Sequence, residues 1–258
     1  MASIPAESRY DRVVTRPIRA ALALVACTAL LVPGPQALGS AGQHAARLVD
    51  PSSLKPTIVW KKIPFGAQRK RQMAAYSKRH YGEPTWELTD PHVVVEHYTD
   101  GPSFSSAWNT FAANSRHLGE MPGVCSHFIV DTDGTIYQLV NMGIRCRHAI
   151  GMNWTAIGIE MVGTSDRQIL RRKPQLRAAL KLTLWLLAKF GIEVRNVIGH
   201  AETLMSPYHH ELYPSWRCLT HRDWQHRDMR IFRRKLKRMA NRAGVPIGPR
   251  PQWVEPNC

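Results

Sequence analysis

Three short runs end on groups that could do chemistry. Val93-Val94-Val95-Glu96-His97-Tyr98-Thr99 reaches an imidazole just before the turn signal Asp100-Gly101-Pro102. Ala156-Ile157-Gly158-Ile159-Glu160 ends on a carboxylate, and Asn196-Val197-Ile198-Gly199-His200 on a second imidazole. Neutral imidazoles bind zinc, and a catalytic zinc needs three protein ligands with a fourth position left for water. A single histidine at a strand end is more often a hydrogen-bonded polar residue than a ligand. Two of them, with a glutamate on a third apolar run, outweigh that reading. The third ligand is expected after His200, where Cys218, His221 and Asp223 all qualify chemically. Glu160 sits among Ile157, Ile159, Met161 and Val162. It is either an edge-strand carboxylate facing water or a general base whose pKa is raised by apolar surroundings.

These groups need a frame to bring them together. Short β-branched runs closed by turn residues suit strands buried on both faces. Three such strands delivering polar groups at their carboxyl ends describe an α/β sheet with its site along that edge. The fold class expected is a central mixed β-sheet flanked by helices. Ser126–Val130 and Thr135–Val140 flank Asp131-Thr132-Asp133-Gly134, a hairpin signature. A helix capped by Ser103 or Ser105 is expected to run to Asn114, with Ala107, Phe111 and Trp108 inward. Residues 174–190 read as a helix, with Pro174 in its first turn and Gly191 past its end. Leu176, Leu180, Leu184 and Leu187 recur on one of its faces. A last helix, 228–242, carries Met229, Phe232, Leu236 and Met239 on one stripe among basic residues. Upstream, Thr57–Trp60 reads as a strand and Gln68–Arg79 as a basic helix.

The chain has 258 residues, 44% of them hydrophobic, enough for a sizeable core. Its formal charge of +16 implies an anionic partner: nucleic acid, acidic lipid or an acidic wall polymer. Charge alone does not choose among them. Residues 1–41 read as an export signal: Arg12, Arg16 and Arg19 precede the apolar stretch 20–32, which Pro33-Gly34-Pro35 interrupts. Leu24-Val25-Ala26-Cys27 also has the form of a lipobox, so ordinary secretion and lipidation at Cys27 are equal alternatives. Export to the periplasm, the cell envelope or the medium permits disulfides. Outside the leader, Cys125, Cys146, Cys218 and Cys258 allow two bridges in three connectivities.

Taken in order, further fragments make a pattern: Ser126-His127-Phe128-Ile129-Val130-Asp131, Asp133-Gly134-Thr135-Ile136-Tyr137-Gln138, Arg147-His148-Ala149, Asn153, then Ile157–Glu160 and Gly199-His200. The pattern resembles the zinc-dependent N-acetylmuramoyl-L-alanine amidases of the type-2 amidase family, whose fold also covers phage T7-type lysozyme amidases and peptidoglycan recognition proteins. It spans roughly residues 91 to 240. The chain then divides into the leader 1–41, an N-terminal extension 42–90, an amidase domain 91–243 and a Pro-rich tail 244–258. The resemblance implies zinc bound by His97 and His200, and Glu160 as the carboxylate that activates water. It implies that His127, His148 and Asn153 line the substrate groove, although core hydrogen bonding suits both histidines equally and Asn153 matches a structural position. Family members close the site with Lys-x-Asp or Lys-x-Cys. Here His221-Arg222-Asp223 offers that layout, with Asp223 as ligand and His221 as oxyanion stabiliser. His221 as ligand is the next alternative and Cys218 the third.

The reaction so implied is zinc-dependent hydrolysis of the amide between the lactyl group of N-acetylmuramic acid and L-alanine, in peptidoglycan or in muropeptides. A non-hydrolytic peptidoglycan-binding module is the rival reading. Nucleic-acid binding rests on charge alone, without a motif, and is not expected.

Overall fold

The computed structural model describes residues 49–258. The stretch read as an export signal, with Cys27, lies outside the described residues. Residues 49–258 form one compact unit. Its six strands are β1 (Val59–Trp60), β2 (Val93–Tyr98), β3 (Phe128–Val130), β4 (Ile136–Gln138), β5 (Ala156–Met161) and β6 (Val197–Gly199). Its α-helices are α1 (Ala67–Tyr81), α2 (Phe104–Ala113), α3 (Asp166–Arg171), α4 (Lys173–Phe190) and α5 (His226–Ala243). The sheet order is β1-β4-β3-β5-β2-β6. Only the β3–β4 hairpin is antiparallel; the remaining pairs are parallel. The mixed sheet flanked by helices is the architecture the apolar runs imply.

The three chemistry-bearing strands are neighbours: β2 lies between β5 and β6. Every residue of β5 is buried, as are the first five of β2, which explains their unbroken apolar runs. Leu176, Leu180, Leu184 and Leu187 of α4 pack in one cluster with Phe128, Ile157 and Ile159 of the sheet. Each such leucine contributes roughly 1.5–3 kcal/mol of apolar burial. From α5, Met229, Phe232 and Leu236 enter the same cluster beside Trp224. Ser103 caps α2, accepting from Ser106 N, and Ala107 and Phe111 face inward as expected while Trp108 is half-buried.

Three features add to the sequence reading. The described part of the N-terminal extension packs into the same unit: β1 extends the sheet along β4, and Met73 and Tyr76 of α1 are fully buried. Arg69 of α1 is buried too, donating to the carbonyls of Phe111 (2.7 Å) and Val124 (3.0 Å). Second, α3 was not anticipated; one and a half turns capped by Ser165 leave too short a pattern to see. Third, His200 does not end a strand but opens a 3-10 turn, His200–Met205. The four cysteines pair as Cys125–Cys146 and Cys218–Cys258. The second bridge pins the tail, which has no regular element and is also held by Val254 N donating to Met205 O at 2.9 Å.

Candidate metal centre and active site

Parallel register aligns the strand ends. His97 of β2 pairs with Glu160 of β5, and Glu96 with Gly199 of β6, one residue before His200. Paired residues on neighbouring strands project to the same face, so His97 and Glu160 share one face of the sheet. Both are buried. Glu160 lies on an interior strand, which removes the reading of an edge carboxylate facing water.

Asp223 reaches this edge through a clamp on its own main chain. Its carbonyl accepts from Ala201 N at 2.9 Å. The next two peptide N–H groups, of Trp224 and Gln225, each donate to the Asp166 carboxylate at 2.8 Å. The Trp224 indole donates to His97 O at 3.1 Å, with its backbone in the left-handed region at φ 56°. A Cβ on Gly199 would stand 1.9 Å from Trp224 O, so only glycine lets these two segments meet. On the other side Glu202 accepts from Gly199 N (3.0 Å) and takes both guanidinium arms of Arg233 at 2.6 and 2.8 Å. That bidentate pair fixes the turn bearing His200.

The result is three donors in one place. His97 Nδ1 lies 3.1 Å from His200 Nδ1 and 3.1 Å from Asp223 Oδ2. His200 Nδ1 lies 3.1 Å from Asp223 Oδ1. His97, His200 and Asp223 are the group among the described residues whose ligand atoms all fall within 4.8 Å of one another.

Proton positions follow from the acceptors. His148 Nε2 lies 3.3 Å from Ala156 O, a pure acceptor, so that nitrogen carries hydrogen. Burial, with His97 and His127 nearby, holds His148 well below the ordinary imidazole pKa, so its Nδ1 is an acceptor. His97 Nε2, 3.0 Å away, therefore donates to it. Burial also lowers His97 to about 4, which leaves it neutral with its Nδ1 lone pair facing Asp223. Burial alone would raise Asp223, but His200 first and His221 next outweigh this and hold it well below the carboxylate range. A lone pair and a carboxylate converging at about 3 Å repel unless a cation lies between them, so this donor set fits a divalent metal.

The other expected residues separate. His221 Nδ1 donates to Asp223 Oδ1 at 2.6 Å, and this bond raises its pKa. It stands beside the donor trio without supplying a third donor of its own. Cys218 is in a disulfide and is not available as a ligand. Glu160 is raised well above the carboxylate range, by burial first and by Asp223 second, and its Oε2 has no hydrogen-bond partner. His127 does not face a groove. It is fully buried, accepting from Gly158 N at Nδ1 (3.0 Å) and donating from Nε2 to Ile144 O (2.9 Å). Asn153 is likewise internal, accepting from His148 N and Ala149 N at 2.8 Å and donating to Tyr81 Oη at 3.0 Å. Both correct the expectation of substrate contact: main-chain groups already take their polar atoms, apart from the Asn153 amide, which the tyrosine takes. His148 is half-buried and touches His97, so it belongs to the centre's support.

Asp166 and Glu202 were missed. Each is a lone carboxylate in a polar stretch, and only the tertiary fold shows that one holds the Asp223 loop and the other the His200 turn.

The sequence signature of the N-acetylmuramoyl-L-alanine amidase family matches residues 87–215, half of the chain. It takes in His97, His148, Glu160 and His200, and ends before His221 and Asp223, which therefore rest on geometry. No curated protein sequence matches the chain. Among solved structures, the chain is similar to Drosophila PGRP-LB (17% identity, 57% of this chain and 83% of that one, TM-score 0.42). It is also similar to a mutant endolysin from Bacillus subtilis (24%, 56% and 83%, TM-score 0.37). A third is the E. coli amidase AmiD in complex with anhydro-N-acetylmuramic acid-L-Ala-D-gamma-Glu-L-Lys (24%, 44% and 50%, TM-score 0.36). On the signature spanning three of the strand-end groups, the chain belongs to the N-acetylmuramoyl-L-alanine amidase family and is an amidase acting on peptidoglycan.

Proposed function

We propose that this amidase is zinc-dependent, with His97, His200 and Asp223 as ligands, and that it cleaves the amide joining the lactyl group of N-acetylmuramic acid to L-alanine. The observation that carries this reading is the convergence of three electron-pair donors within 4.8 Å, beside an unpartnered buried carboxyl group on the adjoining strand. Zinc held there supplies Lewis acidity, polarising an acyl oxygen and acidifying water. His148 keeps the His97 lone pair turned toward the ligand set. Glu160 takes a proton from the attacking water and returns it to the leaving amine of L-alanine. Its raised affinity for protons suits it to hold one between the two steps. His221 keeps its Nδ1 proton on Asp223 and can offer Nε2–H to the developing oxyanion.

We place the chain outside the cytoplasm on the basic–apolar–Pro-Gly-Pro pattern of its first residues and its two disulfides. The deciding experiment dialyses the protein against a chelator, measures stem peptide released from purified wall, then restores zinc. Activity lost on stripping and regained with about one zinc per chain is expected. Full activity in the stripped protein would overturn zinc dependence.

A further inference from the structure

On α5, charge inside the fold is balanced and charge outside it is not. The helix carries eight arginines and lysines against one aspartate. The buried Arg233 is neutralised by Glu202. Arg230, Arg234 and Arg238 are exposed and Lys237 half-buried, and none is ion-paired among the described residues. These four line a groove of about 530 Å³ between α5 and the C-terminal tail, with Trp253 of the tail in its wall. The tail cannot swing away freely, because the Cys218–Cys258 bridge and the Val254–Met205 hydrogen bond tie it down.

We propose that this groove is a binding site for a linear phosphodiester polymer, separate from the hydrolytic centre. Arg230, Arg234 and Arg238 recur every four residues, so their guanidinium groups form a row stepped by about 6 Å along the helix axis. Successive charges of an extended phosphodiester chain are spaced at a comparable interval. Unpaired like charges four residues apart destabilise a helix, and a polyanion laid along them removes that repulsion. The planar guanidinium fork matches phosphate oxygens in pairs. Concavity favours a strand over a flat membrane, since a wall formed by the tail keeps a planar surface from reaching the floor. Trp253 gives the repeating carbon units an apolar face.

The test uses the full exported chain with its disulfides intact, and a synthetic glycerol phosphate oligomer as probe. Binding is followed by calorimetry at several salt concentrations, with poly-glutamate, phosphatidylglycerol vesicles and duplex DNA compared at equal charge. The proposal expects oligomer binding that weakens as salt rises, and a loss of about tenfold or more in R230E/R234E/R238E. Release of stem peptide from soluble muropeptide should be unchanged in that variant. Trp253 fluorescence in the native chain should change on titration, and W253F should abolish that change. Equal binding by the charge-reversed protein, equal affinity for poly-glutamate, or preference for vesicles or DNA overturns it. So does the absence of both binding and a fluorescence change in the native protein. Binding without amidase activity would sink the hydrolytic reading and leave this one standing.

Discussion

His97 Nε2 donates to His148 Nδ1 across 3.0 Å, and that single bond decides which nitrogen of His97 is left to meet a metal. The order of hydrogens starts at the Ala156 carbonyl, passes through both rings, and ends with a lone pair between His200 and Asp223. Removing the acceptor should let His97 turn or change tautomer. We expect H148F to weaken zinc binding about 10–100-fold, measured by chelator competition. H148N, whose side-chain oxygen can still accept, should recover part of it. Native affinity in H148F would show that His97 needs no such partner.

Glu160 can be tested apart from the ligands. E160Q keeps shape and removes the basic carboxylate, so turnover on muropeptide should fall about 10²–10⁴-fold. Zinc content should stay at the native level, because the structure gives Glu160 no place in the donor trio. Loss of zinc together with activity would mean that this carboxylate is a ligand and not a base.

Asp166 makes no contact with the donor trio, yet it holds the loop that delivers Asp223. D166A orphans two peptide N–H groups bonded to a carboxylate, at about 1.5–3 kcal/mol for each charge-assisted bond. With two such bonds lost, urea unfolding of the zinc-free variant should show a loss of about 3–6 kcal/mol, with weaker zinc binding alongside. A variant as stable as the parent would mean that the Asp223 loop is held by its other bonds alone.

His127 supplies a pH signature. Burial lowers its folded pKa to about 4, below the ordinary value of 6.5. The unfolded chain therefore takes up the proton first as the medium is acidified. His127 contributes no pH dependence above about 6.5, lowers stability between about 6.5 and 4, and adds nothing further below that. Within the window one proton corresponds to about 1.4 kcal/mol per pH unit. The stability-against-pH slope of H127N should be shallower than that of the parent by up to this amount, read from denaturant melts at pH 7 down to 4.5. Equal slopes would mean His127 is not neutral in the fold.

What could be read from the chain alone has a physical pattern. β2, β5 and β6 were legible because a strand buried on both faces must be apolar throughout, and a histidine or glutamate closing such a run stands out. The four leucines of α4 were legible for the same reason at helical spacing. His127 was not: a histidine in an apolar strand looks the same whether its nitrogens meet substrate or, as here, main chain from two other segments. Asp166 and Glu202 act on residues far along the chain, so no local spacing marks them. The strand at Thr57–Trp60 was visible, but its place in the sheet was not. Two residues can join an edge without leaving a pattern that says which edge.

The bracing of the Asp223 loop by Asp166, Ala201 and the Trp224 indole has one last consequence. Where a metal gathers scattered ligands, its binding energy is also the folding energy and the stripped chain collapses. In this protein the ligands are pre-organised by bonds that leave their facing donor atoms untouched. The apoprotein is therefore expected to keep its shape, with the metal proposed here loading reversibly on a finished scaffold.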